Sequence, residues 1–181
     1  MAPDDAPSYR SDLAWVHHRG FGFHADGCAP AMLEPLEPVR EGDGTVLELG
    51  CGSGALTRHL VEAGHRAIAT DASPAMLELA QQEVPGVEEF RRLALPDDPL
   101  APADAIVSVG HALNHLPDEA SIERALVAIA EALRAGGVVA IDLCDLRWAE
   151  VRQGQPQFAR VADDWAIITE FSVPSPATCA R

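Results

Sequence analysis

Basic residues are scarce in this 181-residue chain, in which 13 lysines and arginines together stand against 28 aspartates and glutamates. The formal net charge is −15, and the longest basic run is the pair Arg91 and Arg92. A negative field of this size repels the phosphate backbone of a nucleic acid. We therefore expect no nucleic-acid partner.

Paired cysteines, long apolar runs and a targeting segment are also missing. The four cysteines are Cys28, Cys51, Cys144 and Cys179. They form no CxxC and no paired spacing, which disfavours both a zinc site and a disulfide framework. No stretch has the apolar length that crossing a bilayer requires, and residues 1–10 lack the apolar core of a signal peptide. These absences predict a cytoplasmic protein with no metal site and no membrane partner.

Strand and helix patterns alternate along the chain from residue 45 onward. Apolar strands are predicted at residues 45–49, 66–70, 88–93, 104–109 and 138–143. Helices are predicted at residues 53–63, after Ser73 with Pro74 in its first turn, and at 118–135. This alternation predicts an α/β fold, a Rossmann-like open and mostly parallel sheet with helices on both faces.

The helix at residues 118–135 has the clearest pattern, because its apolar residues recur at three- and four-residue steps and form one stripe. The members of this stripe are Ile122, Ala125, Leu126, Ile129, Ala130 and Leu133. We expect Gly136 and Gly137 to end the helix. At the N-terminus, a helix at residues 12–19 ended by Gly20 and a second helix from Pro30 predict a helical lid over residues 1–44.

The first predicted strand runs directly into three alternating glycines, Gly50, Gly52 and Gly54, where a helix opens. Glycines allow a tight turn and let a ligand lie against bare backbone, and free amides at the helix start can receive its polar groups. Asp71 ends the second strand, where a carboxylate can accept both hydroxyl protons of a ribose. The pattern predicts a ribose-containing cofactor at the carboxyl ends of the strands.

Glu48, the three glycines and Asp71 together resemble motif I and the ribose-binding acid of class I S-adenosylmethionine-dependent methyltransferases of the small-molecule type. The likeness covers residues 45–143 and includes the segment at 104–116. It implies S-adenosylmethionine as the cofactor, a small molecule as the methyl acceptor and a cofactor-binding core at residues 45–145. The cofactor-binding residues that it implies are Glu48, Gly50, Cys51, Gly52, Ser53, Gly54, Asp71, Ala72, Met76 and His111.

The resemblance also implies what these residues do. The glycine turn would pack against the methionyl and ribose parts, and Glu48 would orient the turn and help hold the cofactor's ammonium group. Ala72 and Met76 would approach the adenine, and His111 would line the rim of the pocket. Many relatives hold the adenine amine with an acidic residue after the third strand. Arg91 falls near that place here, so a backbone carbonyl, a water or Asp97 is the alternative.

Several alternatives stay open at the level of sequence. The run from Gly50 to Ala55 also satisfies the G-x-G-x-x-A fingerprint of NAD-binding oxidoreductases, although Glu48 favours the methyltransferase. A catalytically incomplete fragment or scaffold that only binds S-adenosylmethionine is a further possibility. His111 and His115 are four residues apart, but no third metal ligand follows at a convincing spacing.

Catalytic residues are not assigned by the sequence. Any of His17, His18 and His24 beside the first helix is a candidate general base, but solvated helix residues are the better interpretation. Trp15, Phe21 and Phe23 are expected to pack the lid, and Cys51 is expected to fill space rather than act as a nucleophile.

Class I methyltransferases normally continue beyond the fifth strand, and this sheet is expected to be truncated there. Residues 146–181 are predicted to form an incomplete C-terminal segment, with a short helix at 146–152 and a strand at 165–173 that begins a cap or a sixth strand. The fifth strand would then be an uncovered edge, which predicts self-association.

Overall fold

The computed structural model describes residues 11–152, 155, 157–170, 172–175 and 178–180, and the chain divides into two compact units, residues 1–142 and 143–181. The first unit contains a five-stranded parallel sheet in the order β3-β2-β1-β4-β5. Its strands are β1 (Thr45–Leu49), β2 (Arg66–Asp71), β3 (Glu89–Arg92), β4 (Ala103–Ser108) and β5 (Leu133–Ile141). Its helices are α1 (Ser11–Leu33), α2 (Glu37–Glu41), α3 (Ala55–Glu62), α4 (Pro74–Glu83) and α5 (Glu119–Ala132), with 3-10 turns at Glu34–Leu36 and Ala112–His115. The predicted Rossmann-like α/β fold is confirmed.

Strand β1 is the centre of the sheet and pairs with β2 on one side and β4 on the other. Val46, Leu47 and Leu49 are fully buried, as expected of a parallel strand covered on both faces. One core packs Val46 with Leu56 and Leu60 of α3, and the opposite core packs Leu47 and Leu49 under α5. Both faces of the sheet are therefore closed by helices.

Helix α1 is one continuous helix, so the predicted break at Gly20 and the predicted new helix at Pro30 are wrong. Local preference disfavours glycine and proline inside a helix, but packing overrides it here. The helix buries a row of small residues, Ala14, Gly20, Ala25 and Ala29, and the last two belong to the same core as Leu60. Small side chains let α1 approach α3 closely. Phe23, expected to pack the lid, is 51% exposed.

Helix α5 begins as predicted, since the side chain of Asp118 accepts a hydrogen bond from the backbone N–H of Ser121 at 2.7 Å. It ends earlier than predicted, at Ala132, because Leu133 already pairs with Ala103 of β4. Gly136 and Gly137 therefore lie inside β5 rather than at the end of the helix. The predicted apolar stripe is also too wide, since Leu126 and Ala130 are exposed.

The second unit contains α6 (Leu146–Arg152), as predicted, and two antiparallel strand pairs. The first pair joins β6 (Phe158–Val161) to β7 (Ala166–Thr169), and the second joins β8 (Ser172–Ser175) to β9 (Thr178–Ala180). The single strand predicted at residues 165–173 covers β7 and the first two residues of β8, and residue 171 lies outside the described part. Among the described residues, no strand is added beyond β5, and no helix has the length and apolar character needed to span a membrane.

Leu60 and Leu126 give a matched test of which helix faces form the core. Leu60→Ala should lower the free energy of unfolding by about 2–5 kcal/mol, because it leaves a cavity in place of a fully buried side chain. Leu126→Ala should change it by less than about 0.5 kcal/mol, because that side chain is 43% exposed. Urea unfolding of both variants measures the difference, and equal losses would contradict the assigned faces.

Candidate functional site

The three glycines after β1 form a turn with positive φ angles, and the space around Gly50 differs from the space around Gly52. A Cβ at Gly50 would lie only 2.7 Å from the Cβ of Ala112, so this glycine is required by packing against the loop after β4. A Cβ at Gly52 would meet no heavy atom within 4 Å. Backbone that is open on this side is available to a ligand, as the sequence predicts.

Asp71 fastens the end of β2 to the glycine turn. One carboxylate oxygen accepts a hydrogen bond from the backbone N–H of Gly52 at 2.8 Å, and the other accepts from Ser73 at 2.8 Å. Burial raises the pKa of Asp71, and these backbone donors oppose that shift. Each oxygen keeps a further lone pair for a ribose hydroxyl. The predicted ribose contact therefore remains a prediction with suitable geometry.

Glu48 is 2% exposed and lies beneath the turn, where its carboxyl accepts a hydrogen bond from the Thr57 hydroxyl at 2.6 Å. This contact joins β1 to α3, in agreement with the predicted orienting role. Burial raises the pKa of Glu48 to about 7, the hydrogen bond from Thr57 opposes the rise, and the nearby charge of Asp71 adds to it. Its predicted contact with the cofactor's ammonium group stays a prediction.

Cys51 and Ser53 lie between the glycines and make different contacts. The Cys51 side chain is 6% exposed and packs with Ala69 and Leu77. Burial raises the pKa of its thiol, and the charges of nearby carboxylates add to the rise, so the neutral thiol suits a space-filling role. The hydroxyl of Ser53 lies 2.9 Å from Nδ1 of His18, which brings α1 against the turn.

The residues predicted to surround the adenine follow β2 and lie in β3. Ser73 caps α4 as predicted, accepting a hydrogen bond from the backbone N–H of Met76. Met76 is 1% exposed, and Ala72 is exposed. Arg91 forms an ion pair with Glu89 at 2.8 Å instead of presenting an acidic group. The adenine contacts stay predictions.

A second cluster lies at the ends of β4 and β5, and it brings His111, predicted to line the pocket rim, together with His24, one of the three candidate bases, around Asp142. The Asp142 carboxylate accepts hydrogen bonds from the backbone N–H groups of Gly110 at 3.1 Å and His111 at 2.9 Å. Nε2 of His24 lies 2.8 Å from this carboxylate, and Nδ1 of His111 lies 3.0 Å from it. The signal available in the sequence was Asp142 directly after the fifth strand, but no local pattern linked it to His24 on α1.

The same cluster contains Cys28, one helical turn after His24 on α1. Its Sγ lies 3.8 Å from Nε2 of His24, and the ligand atoms of Cys28, His24 and Asp142 all lie within 4.8 Å of one another. Such spacing is compatible with a metal ion. Burial raises the pKa of the Cys28 thiol and the charge of Asp142 adds to the rise, whereas metal ions bind the thiolate. The expected absence of a metal site stays a prediction.

Glu48 gives the molecule a pH-dependent stability. Because its pKa is about 7 in the folded chain and lower when unfolded, its contribution is complete below about pH 4.5 and is lost as the pH rises through 7. Glu48→Gln stays neutral and can keep the Thr57 contact. Its stability relative to the wild type should rise by about 2–3 kcal/mol between pH 5 and pH 8, at about 1.4 kcal/mol per pKa unit.

Urea unfolding at the two pH values measures this change. Glu78→Gln on the exposed face of α4 is the control, because it also replaces a glutamate by glutamine but at an exposed position. If Glu48→Gln and the wild type differed in free energy of unfolding by the same amount at both pH values, Glu48 would not be a buried carboxyl with a raised pKa.

Comparison with known proteins agrees with this geometry. Residues 46–137 match the family described as "Methyltransferase domain". An uncharacterized methyltransferase from Oceanobacillus iheyensis is 34% identical over 131 residues, which cover 68% of this chain and 58% of the relative. The chain thus spans less than two thirds of that relative's length.

Solved structures give the same fold. The sugar N-methyltransferase KedS8 from Streptoalloteichus has a TM-score of 0.72 at 21% identity, over 97% of this chain and 70% of its own. The DhpI–SAM–HEP complex has a TM-score of 0.60 at 31% identity, over 87% of this chain and 76% of its own. With the glycine turn and Asp71 in place, the chain belongs to the methyltransferase domain family, with S-adenosylmethionine as its cofactor.

Proposed function

We propose that this chain takes part in S-adenosylmethionine-dependent methyl transfer to a small molecule. The observation that carries the proposal is the open side of Gly52 beside the Asp71 carboxyl, at the carboxyl edge of a parallel sheet. The cofactor supplies an electrophilic methyl group on a sulfonium. The residues present fit it, since the bare backbone at Gly52 is hydrogen-bonded to the Asp71 carboxyl beside it.

The chain's own residues would hold and shield the cofactor. Asp71 accepts hydrogen bonds from the ribose hydroxyls, and the turn from Gly50 to Gly54 lies against the methionyl part of the cofactor. Ala72 and Met76 border the adenine, and His111 lines the rim near Gly50. Contact between His18 of α1 and Ser53 supports a lid that keeps water away from the turn.

A small-molecule acceptor fits the charge of the chain and the names of its relatives. A net charge of −15 disfavours nucleic acids. KedS8, a structural neighbour, is a sugar N-methyltransferase, which supports acceptors of that size here. The proposed organisation is a lid at residues 1–44, a cofactor-binding core at 45–145 and a C-terminal segment at 146–181, whose antiparallel strands β6 and β7 suit the start of a cap.

Self-association is part of the proposal, because β5 pairs only with β4 among the described strands and Val139 is 45% exposed. Light scattering over a concentration series tests it. A monodisperse monomer at all concentrations would contradict association through this edge.

The direct test of function combines two measurements. Calorimetric titration with S-adenosylmethionine, S-adenosylhomocysteine and NAD should show binding of the first two alone. Release of S-adenosylhomocysteine is then followed with a panel of amino sugars, primary amines, carboxylates and phenols. Binding of NAD instead would favour an oxidoreductase, and cofactor binding without turnover would favour the incomplete or scaffolding alternative.

Asp71→Ala should weaken S-adenosylmethionine binding by about 1.5–3 kcal/mol, the range for a hydrogen bond to a charged group. Calorimetric titration measures the loss, and circular dichroism checks that the variant folds. Glu78→Ala on α4 removes an exposed carboxyl and should bind like the wild type. Unchanged affinity in folded Asp71→Ala would remove the ribose assignment.

Gly52→Val and Gly64→Val form a second matched pair, because both glycines have a positive φ that strains other residues. Only Gly52 faces the proposed cofactor space. Both variants should therefore lose stability, but only Gly52→Val should lose measurable cofactor binding. Normal binding by Gly52→Val would show that the glycine turn is only structural.

A further inference from the structure

The second cluster, made of His24, Cys28, His111 and Asp142, lies next to the cofactor turn, and of its four members only His111 has a proposed place at the rim of the cofactor pocket. Its position follows from the sheet, since His111 follows β4 and Asp142 follows β5. The residue after His111, Ala112, packs directly against Gly50. The cluster is therefore on the β4–β5 side of the turn, away from Asp71 on β2.

The carboxylate of Asp142 is held in place by backbone. The N–H groups of Gly110 and His111 both donate to it, and both residues have positive φ angles, of 95° and 63°. Such a φ is uncommon for histidine and carries an energetic cost, which the carboxylate contacts offset. Asp142 thus holds residues Gly110 and His111 in this conformation.

This carboxylate is the acceptor in its contacts with the histidines. Burial raises its pKa, but the side chains of His111 and His24 beside it and the two backbone donors outweigh burial and hold the pKa well below its usual range. A charged acceptor 2.8 Å from Nε2 of His24 requires the proton to lie on that nitrogen. In the neutral ring the lone pair is then on the other nitrogen, Nδ1.

We infer that His24 is the general base for the acceptor, with Asp142 and His111 as positioning residues. This inference rests on the proposed function and deepens it, because it assigns an acceptor whose nucleophilic atom carries a proton, such as a hydroxyl or a protonated amine. That proton passes to Nδ1 of His24. The acceptor's lone pair forms the new bond to the methyl carbon, and the electron pair of the broken bond stays on sulfur. The imidazolium that results is paired with the Asp142 carboxylate.

The tautomer of His24 is the first test. Histidine labelled with ¹⁵N is introduced into the full chain, and two-bond ¹H–¹⁵N spectra are recorded with S-adenosylhomocysteine. Neutral His24 should carry its proton on Nε2 in the wild type and lose this preference in Asp142→Asn. Asp26→Asn is the matched control, because it breaks a second histidine–aspartate contact, between His59 and Asp26 at 2.8 Å, on the surface. A proton on Nδ1 in the wild type, or a preference unchanged by Asp142→Asn, would overturn the inference.

Turnover is the second test, with the acceptor that the panel identifies. His24→Gln can still donate to Asp142 but cannot take a proton, so kcat should fall by about 10²–10⁴-fold. S-adenosylmethionine affinity should stay within about twofold, and Asp26→Asn should keep full activity. A His24→Gln variant with wild-type kcat would refute the base while leaving the proposed function intact.

Two further outcomes are distinguishable. Failure of the wild type to bind S-adenosylmethionine would refute the proposed function itself. A stoichiometric metal ion in the purified chain that is lost in Cys28→Ser would overturn the base, because Nε2 of His24 would then be a ligand rather than a donor.

Discussion

Parallel pairing of β1 with β2 and β4 brings the carboxyl ends of neighbouring strands to one edge of the sheet. Hydrogen bonds beyond the strand ends extend this order into the loops. The N–H of Cys51 donates to the carbonyl of Thr70, the hydroxyl of Ser108 donates to Leu49, and the N–H of Asp142 donates to Ser108. The loops are therefore fixed relative to one another, and both the glycine turn and the second cluster depend on them.

The acidic groups at this edge differ because their donors differ. Glu48 has one neutral hydroxyl donor in a buried place, so burial dominates and its pKa rises to about 7. Asp142 has two backbone donors and two histidines, and these outweigh burial. The carboxyl beneath the cofactor turn and the carboxyl of the second cluster thus have pKa values shifted in opposite directions.

Helix α1 links the glycine turn to the second cluster, because it is one continuous helix. His18 and His24 are six residues apart, which is about 9 Å along a helix. Two strand spacings, from β1 through β4 to β5, are about 9.6 Å. The helix therefore reaches Ser53 after β1 with His18 and Asp142 after β5 with His24. The burial of Ala25 and Ala29 keeps it close enough for both contacts.

Local patterns in the sequence determined the α/β fold, the glycine turn and the place of Asp71, because strand alternation, glycine spacing and strand ends are short-range features. Tertiary structure decided the rest. Helix α1 runs through Gly20 and Pro30 because packing against α3 outweighs local preference, and α5 ends early because Leu133 pairs with β4. His24 meets Asp142 across 118 residues of chain, a contact that no local periodicity encodes and that only the packing of α1 over the sheet edge produces.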